Sequence, residues 1–111
     1  LANIIFIHGL GGASIRTWCH QKNPAFLWPQ KWLPKEQGME NVRIYTFGYS
    51  AGVGTTKESS STILDFAKNL NLELLTSDLG DAPIIFVAHS LGGLVVKRVS
   101  VLMREIREHL C

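Results

Sequence analysis

The sequence predicts an α/β fold in which helices flank a parallel sheet. Three observations carry this. Short runs rich in β-branched and aromatic residues occur at 3–7, 42–47 and 84–87, the last extended by Ala88. Helical periodicity fills the chain before and after the third run. The runs also alternate with helical or long irregular connections, where antiparallel strands would be joined by tight hairpins.

The first run, Asn-Ile-Ile-Phe-Ile, ends at His8-Gly9. Continuous apolarity fits a strand buried on both faces, as in a parallel sheet. Gly9, Gly11 and Gly12 then break it into a loop. Residues 13–38 are irregular, with Pro24, Pro29 and Pro34 and all three tryptophans, Trp18, Trp28 and Trp32. A short helical turn near 28–33 fits, because proline suits the first helical position. The second run, Val-Arg-Ile-Tyr-Thr-Phe, ends at Gly48, and residues 50–59 read as loop. Ser59, Ser60 or Ser61 can cap a helix running to about Thr76. Ile63, Phe66, Ala67, Leu70 and Leu74 share one face of it. Gly80-Asp81-Ala82-Pro83 is a turn, and the third run is uniformly apolar. A last helix follows over about 91–109, its stripe formed by Leu91, Val95, Val99, Leu102, Ile106 and Leu110.

The 111 residues suffice for one small domain with a real core. Hydrophobic residues make up 46% and charged residues 18%, which excludes global disorder. A net charge of +2 with scattered basic residues gives no case for nucleic acid. Lys97, Arg98, Arg104 and Arg107 read as a solvated helix face. Cys19 and Cys111 match neither a zinc spacing nor a disulfide framework, so a reduced, intracellular protein is the default. No run of 18 apolar residues is present to span a membrane. The chain opens at Leu1 almost directly into a strand and stops at Cys111 after a helix. It is therefore expected to be part of a longer protein, with residues 1–111 a single partial domain.

The third strand leads through Ala88-His89-Ser90-Leu91-Gly92-Gly93 into a helix. This is the setting of a nucleophile elbow: strand, sharp turn, serine, helix. Small residues two before and two after the serine, here Ala88 and Gly92, are needed where strand and helix backbones crowd together. The helix would aim its first amides and the positive end of its dipole at a developing oxyanion. A serine that merely caps the helix accounts for Ser90 and Gly92. It does not account for Ala88, Gly93 and the apolar strand together.

Acyl transfer through such a serine needs backbone N–H groups to hold the tetrahedral oxyanion. One donor would be Leu91, the residue after the nucleophile. The other would come from the glycine-rich loop after an earlier strand, here His8-Gly9-Leu10-Gly11-Gly12. Leu10 is the expected second donor and Gly11 the alternative. A dinucleotide fingerprint starting at Gly9 would need glycine where Ser14 stands, and no acidic residue ends the second strand. Neither this loop nor Gly52-Val53-Gly54-Thr55-Thr56-Lys57 forms a phosphate loop. A plain glycine turn remains the simplest competing account of the His8 loop.

The serine also needs a base and an orienting acid, which follow it in chain order in this type of site. Only one helix follows Ser90, and His109 lies about 28 Å along it. His109 reads as a surface histidine, and His89 as a residue that packs or lines the pocket. His8 is expected to order the oxyanion loop, and His20 has no evident partner. Asp78 and Asp81 precede the third strand, at the opposite edge of the sheet. The isolated chain is therefore expected to be inactive, with acid and base supplied by a longer parent.

These residues together resemble the α/β-hydrolase superfamily over essentially the whole chain. Three segments narrow the resemblance: Phe6-Ile7-His8-Gly9-Leu10-Gly11-Gly12, Trp28-Pro29-Gln30-Lys31-Trp32-Leu33-Pro34, and Ala88 through Lys97. They are similar to the lipase-like serine esterases. That group includes serine-active-site-containing proteins linked to phosphatidylglycerol remodelling and GPI inositol-deacylases. The same segments resemble the hydrolase-like N-terminal domains of fungal NACHT-type proteins. The resemblance implies the N-terminal part of the hydrolase fold, with strands in the order 4-3-5, the Asn3 strand in the middle. It implies Ser90 as nucleophile and Leu10 and Leu91 as oxyanion donors, with His8, Gly9, Gly11, His89 and Gly92 in support. The implied function is cleavage of an ester-linked lipid or acyl group without metal or organic cofactor. Thioester or amide substrates remain open, as does a catalytically incomplete effector module of a larger signalling protein. Peripheral membrane association is compatible, and relatives imply endoplasmic reticulum or mitochondrial membranes or the cytoplasm. The tryptophans would form an acyl-binding wall, a lid or, most simply, core.

Overall fold

The computed structural model describes residues 2–9, 12–49 and 63–110, with side chains to residue 105. Strands β1 (Ala2–Ile7), β2 (Val42–Phe47) and β3 (Ile84–Ala88) form one parallel sheet in the order β2-β1-β3. The α/β class holds, and the Asn3 strand lies between the other two. In register, Asn3 pairs with Arg43 on one side and Ile84 on the other. Helix α1 (Trp28–Lys31) is a single turn with Pro29 at its start, followed by a 3₁₀ turn at Leu33–Lys35. Helices α2 (Ile63–Thr76) and α3 (Leu91–Leu110) follow β2 and β3. The serines expected to cap α2, the 50–59 loop and Cys111 lie outside the described residues. So do the side chains of Ile106, His109 and Leu110.

The pleat divides the core in two. Ile5 and Ile7 face α2 and α3, where Phe66, Ala67, Leu70, Val95 and Val99 are buried with them. Ile4 and Phe6 face the irregular segment, which buries Trp18, Cys19 and Leu27 against them. This division follows from connectivity. The chain leaves β1 for β2 in one direction across the sheet and returns past β1 to β3 in the other. Crossovers of one hand that run in opposite directions must lie on opposite faces. Leu70 is 1% exposed at the centre of the helical side. Leu70→Ala is expected to cost about 2–4 kcal/mol in urea unfolding, through lost burial and the cavity left behind.

Two expectations need correction. Burial on both faces holds for β1 but not for β3, where Ile85 is 49% exposed. β3 lies at the sheet edge, and the tryptophan segment covers β1 and β2 without reaching Ile85. Core packing holds for Trp18 and the half-buried Trp28, whose rings meet Phe6 edge-on at centroid distances of 4.9 and 5.2 Å. It fails for Trp32, which is 44% exposed beside Phe26 and His20. Phe26 and Trp32 are the ring partners that sequence alone did not assign to His20.

Candidate active site

In an open parallel sheet, ligands collect beyond the carboxyl ends of strands whose connections depart to opposite faces. β1 and β3 are such a pair. The chain leaves β1 toward the tryptophan side and β3 toward the α3 side. Their C-terminal ends are tied together by the ladder partner Ile7–Ala88 and by the His89 N–H, which donates to Ile7 O at 3.0 Å. Ser90 and the His8-Gly9 segment meet here.

Ser90 occupies the single turn between β3 and α3 with φ +54, a left-handed conformation that favours glycine. Its role as a simple helix cap does not hold. A capping serine would accept from the second or third helical amide. Here the Gly92 N–H donates to His89 O and the Gly93 N–H to Ser90 O, both at 3.0 Å. Ser90 is exposed, and its Oγ makes no hydrogen bond among the described residues. The Leu91 amide, first in α3, likewise has no backbone partner among them. Gly92 is the steric key of the turn. A Cβ there would stand 2.5 Å from Ile7 O and 2.7 Å from His8 O. Gly9 is the counterpart on the facing loop, where a Cβ would stand 2.7 Å from His89 O and 2.9 Å from Ser90 Cβ. Gly93, in contrast, faces open space, and Ala88 is exposed.

His8 is fully buried and both ring nitrogens are committed. Nε2 accepts from the Tyr49 amide at 3.1 Å, so the ring proton is on Nδ1, which donates to Gly9 O at 2.9 Å. The ring also stacks on Tyr49 at 4.1 Å, and the Tyr49 hydroxyl donates to His8 O. A histidine held this way fixes the loop and has no free nitrogen to take a proton from Ser90. Leu10 and Gly11 lie outside the described residues. Burial raises the Tyr49 phenol above its ordinary value of 10.0. Stability owed to the protonated phenol is fully present below the unfolded value and is lost as pH rises through the raised folded one. The thermal midpoint of the wild type should therefore fall more steeply than that of Tyr49→Phe above about pH 10.

A cavity of about 830 Å³ opens beside the turn, lined by Gly9, Gly12, Arg16, Thr17, Cys19, Gln21, Lys22 and His89. His89 is thus a lining residue. A second groove, of about 390 Å³, runs between the irregular segment and β2. The described residues that line it, which include Leu27, Pro29, Val42 and Ile44, carry no titratable side chain. Asp78 and Asp81 sit before β3, at the opposite end of the strand from Ser90. No group of three metal-ligating side chains occurs among the described residues. No helix among them is long and apolar enough to cross a membrane.

The glycine loop, the strained serine and the strand order can be set beside known proteins. Protein SERAC1 of Bos taurus is 31% identical over 116 aligned residues, covering 88% of this chain. The chain is homologous to a part of Protein SERAC1. The Danio rerio protein is 30% identical over 118 residues, and the human protein 28% over 116. The chain spans 17% of the length of the bovine and human SERAC1 proteins and 18% of the zebrafish one. No family model and no solved structure matches the chain.

Proposed function

We propose that this chain is the nucleophile-bearing part of a serine hydrolase that cleaves an ester-linked lipid or acyl group. The observation that carries the proposal is Ser90. A non-glycine residue is held at positive φ in a strand–turn–helix junction, exposed and with no hydrogen bond to its hydroxyl among the described residues. Strain of this kind persists where the surroundings over-determine it, and it gathers at functional sites. The junction has the form of a nucleophile elbow. Ser90 Oγ attacks the ester carbonyl and loses its proton to a base. The oxyanion is held by the Leu91 N–H and by an amide of the glycine loop, Leu10 or Gly11. The alcohol leaves with the proton, and water then releases the acid from Ser90. The base and its orienting acid come from parts of the full-length protein beyond this chain.

Relatives about six times longer fit that division of labour. A fluorophosphonate probe tests the reading. The full-length protein should become labelled on Ser90, located by peptide mass spectrometry. Well-folded protein that stays unlabelled would leave a binding module built on a hydrolase-like sheet.

A further inference from the structure

We infer that Tyr49 is a positioning residue for the oxyanion hole, acting with His8 to hold both peptide units of Gly9 in the orientation that acyl transfer needs. The inference rests on the hydrolase reading of Ser90. Its starting point is a conflict at Gly9. A Cβ there would stand 2.7 Å from His89 O and 2.9 Å from Ser90 Cβ, so a side chain has no room beside the serine. Glycine, however, is the residue whose two dihedrals turn most freely. An oxyanion hole is effective because its donors are fixed before the reaction begins. A donor loop that starts on glycine therefore needs to be held from outside.

Three hydrogen bonds hold Gly9, one on the peptide unit before it and two on the unit after it. The unit before carries His8 O and the Gly9 N–H, and His8 O accepts from the Tyr49 hydroxyl. The unit after carries Gly9 O, which accepts from His8 Nδ1 at 2.9 Å and from the Gly12 N–H at 3.0 Å. A trans peptide is planar, with its C=O and N–H on opposite sides. By covalent geometry, whatever fixes Gly9 O also fixes the direction of the amide that follows. That amide belongs to Leu10, one of the two candidate donors.

His8 in turn depends on Tyr49. The Tyr49 amide donates to Nε2 at 3.1 Å, which leaves the ring proton on Nδ1 for Gly9 O. The Tyr49 ring lies 4.1 Å from the imidazole and within 11° of parallel, which sets the plane of that ring. Tyr49 is itself held from the core side. Its ring centroid is 4.6 Å from that of the buried Phe66 on α2 and 5.7 Å from that of Phe47 on β2. One residue thus sets the tautomer of His8, its ring plane and its carbonyl, and ties Gly9 to the helical layer.

The test uses the full-length protein and Tyr49→Phe, which keeps the ring and the backbone amide but removes the hydroxyl donor. With 4-nitrophenyl butyrate, kcat is expected to fall about tenfold while KM stays within about twofold. A displaced donor weakens the transition state and leaves ground-state binding alone. Tyr49→Leu, which also removes the stack, should lower kcat by about 10²-fold. Leu70→Ala is the control. It costs stability in the core and, below its unfolding temperature, should keep the wild-type kcat. Hydrogen exchange read by mass spectrometry needs no turnover. The Gly12 amide, bonded to Gly9 O, should exchange about tenfold faster in Tyr49→Phe, while peptides from α3 exchange as in the wild type. Unchanged kcat in Tyr49→Phe, an equal loss in Leu70→Ala, or unchanged exchange at Gly12 overturns the inference. Wild type that a fluorophosphonate does not label at Ser90 fails the hydrolase reading instead, and exchange alone then decides whether Tyr49 holds Gly9.

Discussion

Ser90→Ala in the full-length protein is expected to abolish fluorophosphonate labelling and to lower ester turnover by at least about 10³-fold. The fold should survive, because Ser90 Oγ makes no hydrogen bond among the described residues. A companion variant separates chemistry from conformation. At φ +54 a side chain is strained and glycine is not. Ser90→Gly should therefore be as inactive as Ser90→Ala and more stable by about 1 kcal/mol in urea unfolding. A hydroxyl kept where glycine would be more comfortable is the mark of a residue retained for its oxygen. Labelling that persists in Ser90→Ala would remove the serine from the mechanism. The 111-residue chain alone should not turn over a nitrophenyl ester, since His8 has both nitrogens occupied and Asp78 and Asp81 lie at the opposite end of β3 from Ser90.

Gly92→Val is expected to destabilise the protein by about 3 kcal/mol or more, enough to prevent folding of a marginal domain. The reason is the kind of atom the side chain would meet. At 2.5 and 2.7 Å from the carbonyl oxygens of Ile7 and His8, it meets backbone that two sheet ladders hold in place. Flexible side chains can step aside, but this backbone cannot. The adjacent Gly93 is the control, because its Cβ would stand in open space. Gly93→Ala should be neutral, or stabilising by up to about 1 kcal/mol through helix propensity. Thermal unfolding of the two variants should diverge in sign. Similar behaviour would mean that the close approach of α3 to β1 is not what fixes the turn.

The contrast between these glycines marks where sequence reading stops. Local pattern identified the strands, because runs such as Asn-Ile-Ile-Phe-Ile can bury both faces only inside a sheet. It also singled out the strand–serine–helix junction, since a serine between a small pair and an apolar strand is an uncommon combination. It could not divide the work between Gly92 and Gly93, because only the path of β1 decides which one faces backbone. Nor could it tell a capping serine from a free one, which depends on whether the Gly92 and Gly93 amides find carbonyls first. Ile85 reads as core by composition, and its exposure follows from edge position alone. Trp32 is as apolar as Trp18, and only the reach of the segment beyond Phe6 separates them.

For His8 the sequence offered a loop-ordering role, and the structure adds the contacts with Gly9 and Tyr49. The stacking partner lies about forty residues away, just past the end of β2, and no local signal joins the two. The left-handed pair at Gln21 and Lys22, with φ +53 and +55, was equally invisible. Neither residue type prefers positive φ, so composition there gives no warning of a turn.

The strand order also governs the order in which the site can be built during synthesis. β1 leaves the ribosome well before its partner β3, which lies about eighty residues later in the chain. At roughly 5–20 residues per second, the Ile-Ile-Phe-Ile strand waits about 4–16 s before β3 can pair with it. Contacts so distant in sequence form slowly even then. The Ser90 turn, tied to β1 through the His89–Ile7 bond, therefore cannot assemble until β3 has emerged. Until that bond closes, the nascent chain presents β1 with its β3-facing edge unpaired and no nucleophile in place, and it is then that a holding chaperone would matter most.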